Sequence, residues 1–324
     1  MSKIKALVLI KLKDEEKKIF KQFEDKIEFS FKDKELVTIE KEDVHNAEII
    51  IGYPPIKYLH NAEKLKWIQM ISSGVDKYLQ EGTLPKKAII TNAKGSYGES
   101  QSEFMFSLLI ALMKKLHKYR DNQKQSLWRD EGEVMMLKNS VAIVIGLGDI
   151  GSEFSRILKA FGVYVIGFRR DPTKMCEYAD QVHSFKEIDK YIEKADIVSM
   201  VVPATLESKN LMSADRIAKM KKSAVLINTG RGMSVDNEAL CDAVDKNDIA
   251  GAALDVFDPE PIDKNHRAWN IENLIITPHA AGQDYMEHNW KKTLNLIERN
   301  LHSYCNNKEL KNIVDRDIYE FKEK

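Results

Sequence analysis

Residues 139–151 read NSVAIVIGLGDIG, and this stretch decides the fold. Val141 to Ile145 is an unbroken apolar run of strand length. GLGDIG follows at once, and SEFSRILKAF continues as a helix. A strand that turns through three glycines into a helix is the opening of a dinucleotide-binding βαβ unit. On this reading Gly146 makes the tight turn and Gly148 lets the backbone approach a pyrophosphate. Gly151 lets the helix pack closely on its strand. The first helical turn, with Asp149 and Ile150, then offers N–H groups and the positive end of the helix dipole to the phosphates.

The next apolar run ends about twenty residues further on, at YVIGFRRDP (Tyr164 to Pro172), the usual distance for the second strand of such a unit. An NAD-binding fold carries an acidic residue near this point. Here Arg169 and Arg170 come first and Asp171 only afterwards, before a proline that biases it away from the site. The pair is either a phosphate grip or two solvated charges on a turn.

Further downstream the alternation continues through ADIVSMVVP, AVLINTG, GAALDV and NLIITPH, with helical segments between. Strands alternating with helices argue for a parallel sheet. The first hundred residues carry a second such series, in KALVLI, KIEFSF, AEIIIGY, LKWIQMI and KAIITNA. DEEKKIFKQFEDK, VHNA, KYLHNAEK and VDKYLQE are the helix-like segments between them. An apolar helix is expected over Glu99 to Arg120. Phe104, Met105, Phe106, Leu108, Leu109, Ile110, Leu112, Met113 and Leu116 leave it few polar positions, so it is expected to be buried on more than one side. It serves either as a central helix between domains or as part of a subunit interface.

A length of 324 residues accommodates two domains of ordinary size. Fifty basic residues balance fifty acidic ones, which gives no basic excess for nucleic acid or an anionic membrane surface. The most apolar stretch, Phe104 to Met113, is about half of what a bilayer span requires. Cys176, Cys241 and Cys305 are far apart and show no metal-binding spacing, so no metal is expected and a reduced, cytoplasmic setting is.

Three segments close later strands: NTGRG (228–232), LDVFDPEP (254–261) and TPHAAG (277–282). In open parallel sheets ligands bind beyond these strand ends, so Arg231, Asp255, Glu260 and His279 are expected to converge there. The set suits hydride chemistry at a carbonyl. His279 titrates nearest neutral pH and is the candidate proton donor to the carbonyl oxygen. Glu260 is the candidate carboxylate to orient its ring and favour the charged form. Arg231 offers a planar fork for a substrate carboxylate and the adjacent carbonyl.

From WIQMISSGVD through GLGDIG, VVPATLESKNLMSADRIAKMKKSAVLINTGRG and GAALDVFDPEP to NLIITPHAAG, the sequence resembles the D-isomer-specific 2-hydroxyacid dehydrogenases. The resemblance implies an α/β fold of two Rossmann/flavodoxin-like, doubly wound parallel-sheet domains with an interdomain cleft. Residues 1–102 with 284–324 would form the substrate domain, and 103–283 the dinucleotide-binding domain. It implies that Ser73, Gly74 and Val75 offer N–H groups to the substrate carboxylate alongside Arg231. Asp255 would hold the nicotinamide carboxamide. Val202, Pro203, Thr229 and Gly282 would line the cofactor, Pro203 on the adenine side. Family register puts Arg169 in the place of the acid, which implies that NADP(H) is preferred, with NAD(H) possible, and that Arg169 and Arg170 meet the 2′-phosphate. It further implies a homodimer through the cofactor domains.

The activity implied is reduction of a small 2-keto acid, of glyoxylate or hydroxypyruvate size or larger. Glu260 separates the chain from the formate dehydrogenases, which have glutamine there. A dinucleotide-sensing, protein-binding relative with little turnover would carry the same residues and is the alternative. The segment GSYGESQSE (95–103) departs from the family's more apolar approach, and Tyr97 and Tyr53 are the residues most apt to alter the pocket.

Overall fold

A computed structural model describes residues 3–33 and 37–319. The chain divides into two compact units, one from the residues up to Ser96 joined by those from Asp284 on, the other Tyr97–Gln283.

In the first unit five parallel strands, β1 (Ile4–Leu9), β2 (Ile27–Phe31), β3 (Ile49–Gly52), β4 (Trp67–Gln69) and β5 (Ile89–Thr91), lie in the order β2-β1-β3-β4-β5. β3 is buried along its whole length, as an IIIG run requires when both faces of a sheet are covered. Its crossovers are shorter in helix than the sequence reading expects. The segment DEEKKIFKQFEDK forms only α1 (Lys18–Lys21), and VHNA forms the end of α2 (Lys41–Asn46) and its cap, Ala47. KYLHNAEK overlaps a single tight turn at Ile56–Tyr58, and VDKYLQE contains one at Asp76–Tyr78. Segments this short cannot offset the cost of helix nucleation with many helical bonds, so the chain crosses in turns.

The second unit opens with α3 (Gly98–Met113) and α4 (Leu116–Lys124). It continues as β6 (Val141–Ile145), α5 (Asp149–Ala160), β7 (Tyr164–Phe168), β8 (Gln181–His183), β9 (Ile197–Met200), α6 (Ala214–Ala218), β10 (Val225–Asn228), α7 (Asn237–Asp245), β11 (Gly251–Leu254) and β12 (Leu274–Ile276). Its strands are all parallel, in the order β12-β11-β10-β9-β6-β7-β8. The order reverses between β6 and β9, which opens a crevice at their C-terminal ends where the glycine turn lies. The last helix, α8 (Glu287–Cys305), buries Trp290, Leu294, Ile297 and Leu301 in one cluster with Ile49, Ile51 and Trp67 of the first unit.

Two expectations are corrected. The single helix over Glu99–Arg120 is two helices, broken at Lys115, whose φ of 57° is left-handed. The apolar stripe ends at Met113. Beyond it the Lys114 and Lys115 ammonium groups donate to the carbonyls of Met135 and Glu131, bonds a straight helix would not present. The first unit boundary also falls before Tyr97 rather than after position 102. The reason is the first turn of α3: Ser102 is fully buried, and a Cβ at Gly98 would come within 2.7 Å of Asp149 Oδ1. The helix start is thereby fixed to the glycine turn of the second unit.

Candidate active site

The glycine turn is built as its sequence demands. Gly146 has φ +106°, and a Cβ there would collide with the carbonyl of Val201. Gly151 is buried in α5, where a Cβ would meet the carbonyl oxygen of Gly146. Gly151→Ala therefore forces helix and strand apart, and such overpacking costs about 1–3 kcal/mol. A matching drop in unfolding free energy by denaturant titration, with weaker dinucleotide binding, is the expected outcome.

At Gly148, the N-cap of the twelve-residue α5, a Cβ would meet nothing within 4 Å. Asp149 opens the helix with Oδ2 buried and unpartnered, and Ile150 is half-buried behind it. The open backbone cradle at the N-terminus of α5 fits a dinucleotide pyrophosphate.

At the end of β7, Arg169 is half-buried and Arg170 exposed. Arg169 donates from Nη1 to the Lys174 carbonyl at 2.8 Å. Arg170 pairs with Glu207 at 2.9 Å, both side chains close to half exposed. Asp171 is engaged in its own turn, where Oδ1 accepts from Thr173 N and Oγ1 at 3.1 and 2.6 Å. The Thr173 bonds hold its carboxyl below the usual range. Val202 is buried beyond β9 and Pro203 is exposed, its carbonyl accepting from Ser208.

The catalytic constellation is tightly organised. His279 Nδ1 lies 2.9 Å from Glu260 Oε2. The second Glu260 oxygen accepts the Phe257 N–H at 3.0 Å, which aims the carboxylate. The hydrogen bond to Glu260 raises the His279 pKa above its ordinary value, against burial, which lowers it. Burial tends to raise the Glu260 carboxyl, but the bonds from His279 and Phe257 N outweigh it and leave the group below its ordinary range. The pair is therefore a carboxylate beside an imidazole poised to hold a proton, with Nε2 as the nitrogen not used by Glu260.

His279 itself has φ +53°, in the left-handed region. Asp255 holds it there. Asp255 is 1% exposed; its Oδ1 accepts from Thr277 Oγ1 (2.6 Å) and Ala280 N (2.8 Å), and its Oδ2 from Ala281 N (3.0 Å). Its carbonyl takes the His279 N–H at 2.8 Å. The buried carboxylate clamps the turn that presents the histidine.

Arg231 follows Gly230 at the end of β10 and is half-buried, with Nη1 donating to the Gly230 carbonyl. Its positive charge opposes the rise in the His279 pKa, so the two groups sense each other. Thr229 is 2% exposed, and Gly282 closes the histidine turn beside Tyr97.

Within the first unit the loop after β4 is also ordered by its carbonyls. Ser73 O accepts from Asn92 Nδ2 and Gly74 O from Ser72 Oγ, and Val75 is buried. Tyr53 donates to Asp284 Oδ2 at 2.5 Å, and burial, ahead of that carboxylate, pushes its phenol well above the ordinary range. Gln101, which the sequence reading did not single out, donates to the Thr229 carbonyl at 3.0 Å. Its signal was present in the polar first turns of an otherwise apolar helix.

Residues 106–281 match the family described as D-isomer specific 2-hydroxyacid dehydrogenase, NAD binding domain. The glyoxylate reductase of Aeropyrum pernix is 30% identical over 268 residues, 80% of this chain and 79% of that protein. The chain belongs to the D-isomer specific 2-hydroxyacid dehydrogenase family. A second member, the glyoxylate reductase of Korarchaeum cryptofilum, is 26% identical over 79% of this chain and 78% of its own. Among solved structures, a D-isomer specific 2-hydroxyacid dehydrogenase family protein from Aeromonas salmonicida superposes with TM-score 0.85 at 28% identity, covering 98% of this chain and all of the other. The chain is accordingly an NAD(P)-dependent oxidoreductase of the 2-hydroxyacid dehydrogenase class, built on two parallel-sheet α/β units. Among its described residues no helix is long and apolar enough to cross a membrane.

Proposed function

We propose that this dehydrogenase reduces small 2-keto acids to D-2-hydroxy acids, with NADPH preferred over NADH and His279 as acid and base. The observation that carries the reading is the 2.9 Å bond between His279 Nδ1 and Glu260 Oε2. It favours the charged form of the ring and orients it, with Nε2 left for the substrate oxygen. When bound, the reduced nicotinamide supplies the hydride to the carbonyl carbon. Arg231 grips the substrate carboxylate and polarises the carbonyl, and its charge offsets what builds on the oxygen. Ser73, Gly74 and Val75 give N–H groups to the same carboxylate. His279 delivers its proton from Nε2 to the carbonyl oxygen, and in the reverse direction takes it back. Glyoxylate and hydroxypyruvate head the substrates, since relatives at 26–30% identity carry the name glyoxylate reductase.

A panel of 2-keto acids, each assayed with NADH and NADPH, tests this directly. Turnover of glyoxylate or hydroxypyruvate is expected. Tight dinucleotide binding with no turnover on any keto acid would replace the enzyme with a dinucleotide-sensing protein.

We place the protein in the cytoplasm, where three unpaired cysteines stay reduced. A homodimer through the cofactor unit belongs to the same proposal. The segment after α4 carries Leu127, Trp128, Val134 and Met136 exposed, Trp128 completely, more apolar surface than a short stretch of a monomer usually shows. Light scattering should give twice the chain mass. Trp128→Glu should shift the protein toward monomer, and an unchanged dimer would move the interface elsewhere.

A further inference from the structure

Three successive peptide units in the loop after β4 are bonded on one side only. Ser72 O accepts the Ala93 N–H at 2.9 Å, Ser73 O accepts from Asn92 Nδ2 at 2.8 Å, and Gly74 O accepts from Ser72 Oγ at 2.7 Å. The N–H groups of the same units, those of Ser73, Gly74 and Val75, have no acceptor among the described residues. These peptide bonds are trans, so each N–H points away from its own carbonyl. Pinning a carbonyl thereby sets the direction of the donor across from it. Ser73 and Gly74 are half-buried rather than sealed, and successive free N–H groups suit an anion such as a carboxylate.

Of the three anchors, Asn92 alone is a side chain from another strand end. It follows β5, and its Oδ1 accepts the Lys94 N–H at 3.3 Å while its Nδ2 serves Ser73. With acceptor and donor both used, the amide has one orientation. Asn92 is itself braced from the far end of the chain. Its N–H donates to Asn312 O at 3.2 Å, and Asn312 Nδ2 donates back to the carbonyls of Asn92 and Lys94 at 3.2 and 2.7 Å. Val314 N bonds Ile90 O at 2.9 Å and Ile313 bridges Thr91, so residues 312–314 run antiparallel along the edge of β5. Backbone pairing alone would hold that edge. The two amide side chains add bonds to loop carbonyls, and Asn312 makes its own from a left-handed φ of 58°.

We propose that Asn92, braced by Asn312, is a positioning residue that aims the free N–H groups of Ser73, Gly74 and Val75 at the substrate carboxylate. Neither asparagine has to touch the substrate. Asn92 acts through the Ser73–Gly74 peptide, and Asn312 acts through Asn92. This rests on the reading that the loop receives the carboxylate of a keto acid.

Asn92→Ala and Asn312→Gly test it; glycine keeps the left-handed backbone at 312 and removes only the amide. Oxalate, a dicarboxylate that hydride transfer does not consume, is titrated calorimetrically into the protein saturated with NADPH. Misaiming one charge-assisted bond should weaken oxalate about tenfold to a hundredfold in Asn92→Ala, and by less in Asn312→Gly. NADPH affinity should stay unchanged, which also shows that the variants are folded. With a keto acid, KM should rise by the same factor and kcat should hold, because the carboxylate is gripped alike before and during hydride transfer. A merely damaged protein would lose kcat at constant KM. Crystals of Asn92→Ala should show the Ser73–Gly74 peptide rotated. Unchanged oxalate affinity in Asn92→Ala, or a peptide that keeps its orientation, would overturn the proposal while leaving the reaction in place. A loss confined to Asn92→Ala would strike Asn312 from it. A parent protein that binds oxalate with the expected variant pattern and reduces no keto acid would leave the positioning role standing and remove the substrate reading instead. A parent that binds no oxalate would remove the carboxylate subsite and this role with it.

Discussion

Replacing His279 by Ala lowers turnover of the accepted keto acid by roughly a hundredfold or more, the usual share of general acid catalysis. The affinity for NADPH stays close to that of the parent protein. This separation follows from the local structure. The His279 ring touches Glu260, whereas the glycine turn and the arginines of β7 use none of its atoms. The pH profile sharpens the test. Reduction needs the protonated ring, so activity is full below the His279 pKa and falls as pH rises through it. Because the Glu260 bond raises that pKa, the descending limb lies above the ordinary histidine value. Glu260→Gln removes the charge that raises it, so the limb should move to lower pH and kcat should fall at neutral pH. Rate measurements across pH on both proteins check this. A Glu260→Gln limb that stays in place would mean that the carboxylate does not set the proton affinity of His279.

How much of this was legible beforehand differs from residue to residue. The strand series and the glycine turn were legible because their cause is local. Apolar runs such as Val141–Ile145 sit between turn signals, and Gly146 and Gly151 stand where backbone from the adjacent loop or strand leaves no room for a Cβ. Glu260 and His279 were legible as chemistry at two strand ends, and parallel-sheet geometry brings such ends together. The break at Lys115 was not legible, since nothing in KKLHKYR forbids a helix. It comes from carbonyls of a later segment, near Glu131 and Met135, that capture the two lysines. The clamp made by Asp255 was hidden for the same reason: its donors Thr277, Ala280 and Ala281 are distant in sequence. The Gln101 bond to the Thr229 carbonyl joins the first turns of α3 to the end of β10, which no spacing in the sequence gives.

Exchanging Arg169 for Asp reverses the coenzyme preference. On the proposed preference for NADPH, Arg169 and Arg170 after β7 meet the ribose-side phosphate, while Asp171 is held in its own turn by Thr173. The competing interactions are weak. Arg170 must give up Glu207, an ion pair whose side chains are 47% and 43% exposed, and such surface pairs are worth about 0–1 kcal/mol. Arg169 gives up one bond from its guanidinium to an uncharged acceptor, the Lys174 carbonyl. Charge-assisted bonds to a phosphate are worth about 1.5–3 kcal/mol each, so the phosphate wins over both existing partners. Arg169→Asp removes one of these bonds and places a carboxylate that repels the 2′-phosphate and accepts from the ribose hydroxyls of NADH. NADPH efficiency should fall about tenfold to a hundredfold on that difference, and NADH efficiency should rise. Glu207→Gln supplies the opposite test. It frees Arg170 and should tighten NADPH binding while leaving NADH unchanged, with the gain shrinking at high salt because the site is exposed. The ratio of kcat/KM for the two coenzymes in the parent and both variants decides the matter. A parent that already favours NADH strongly would reduce the arginines to solvated charges on a turn.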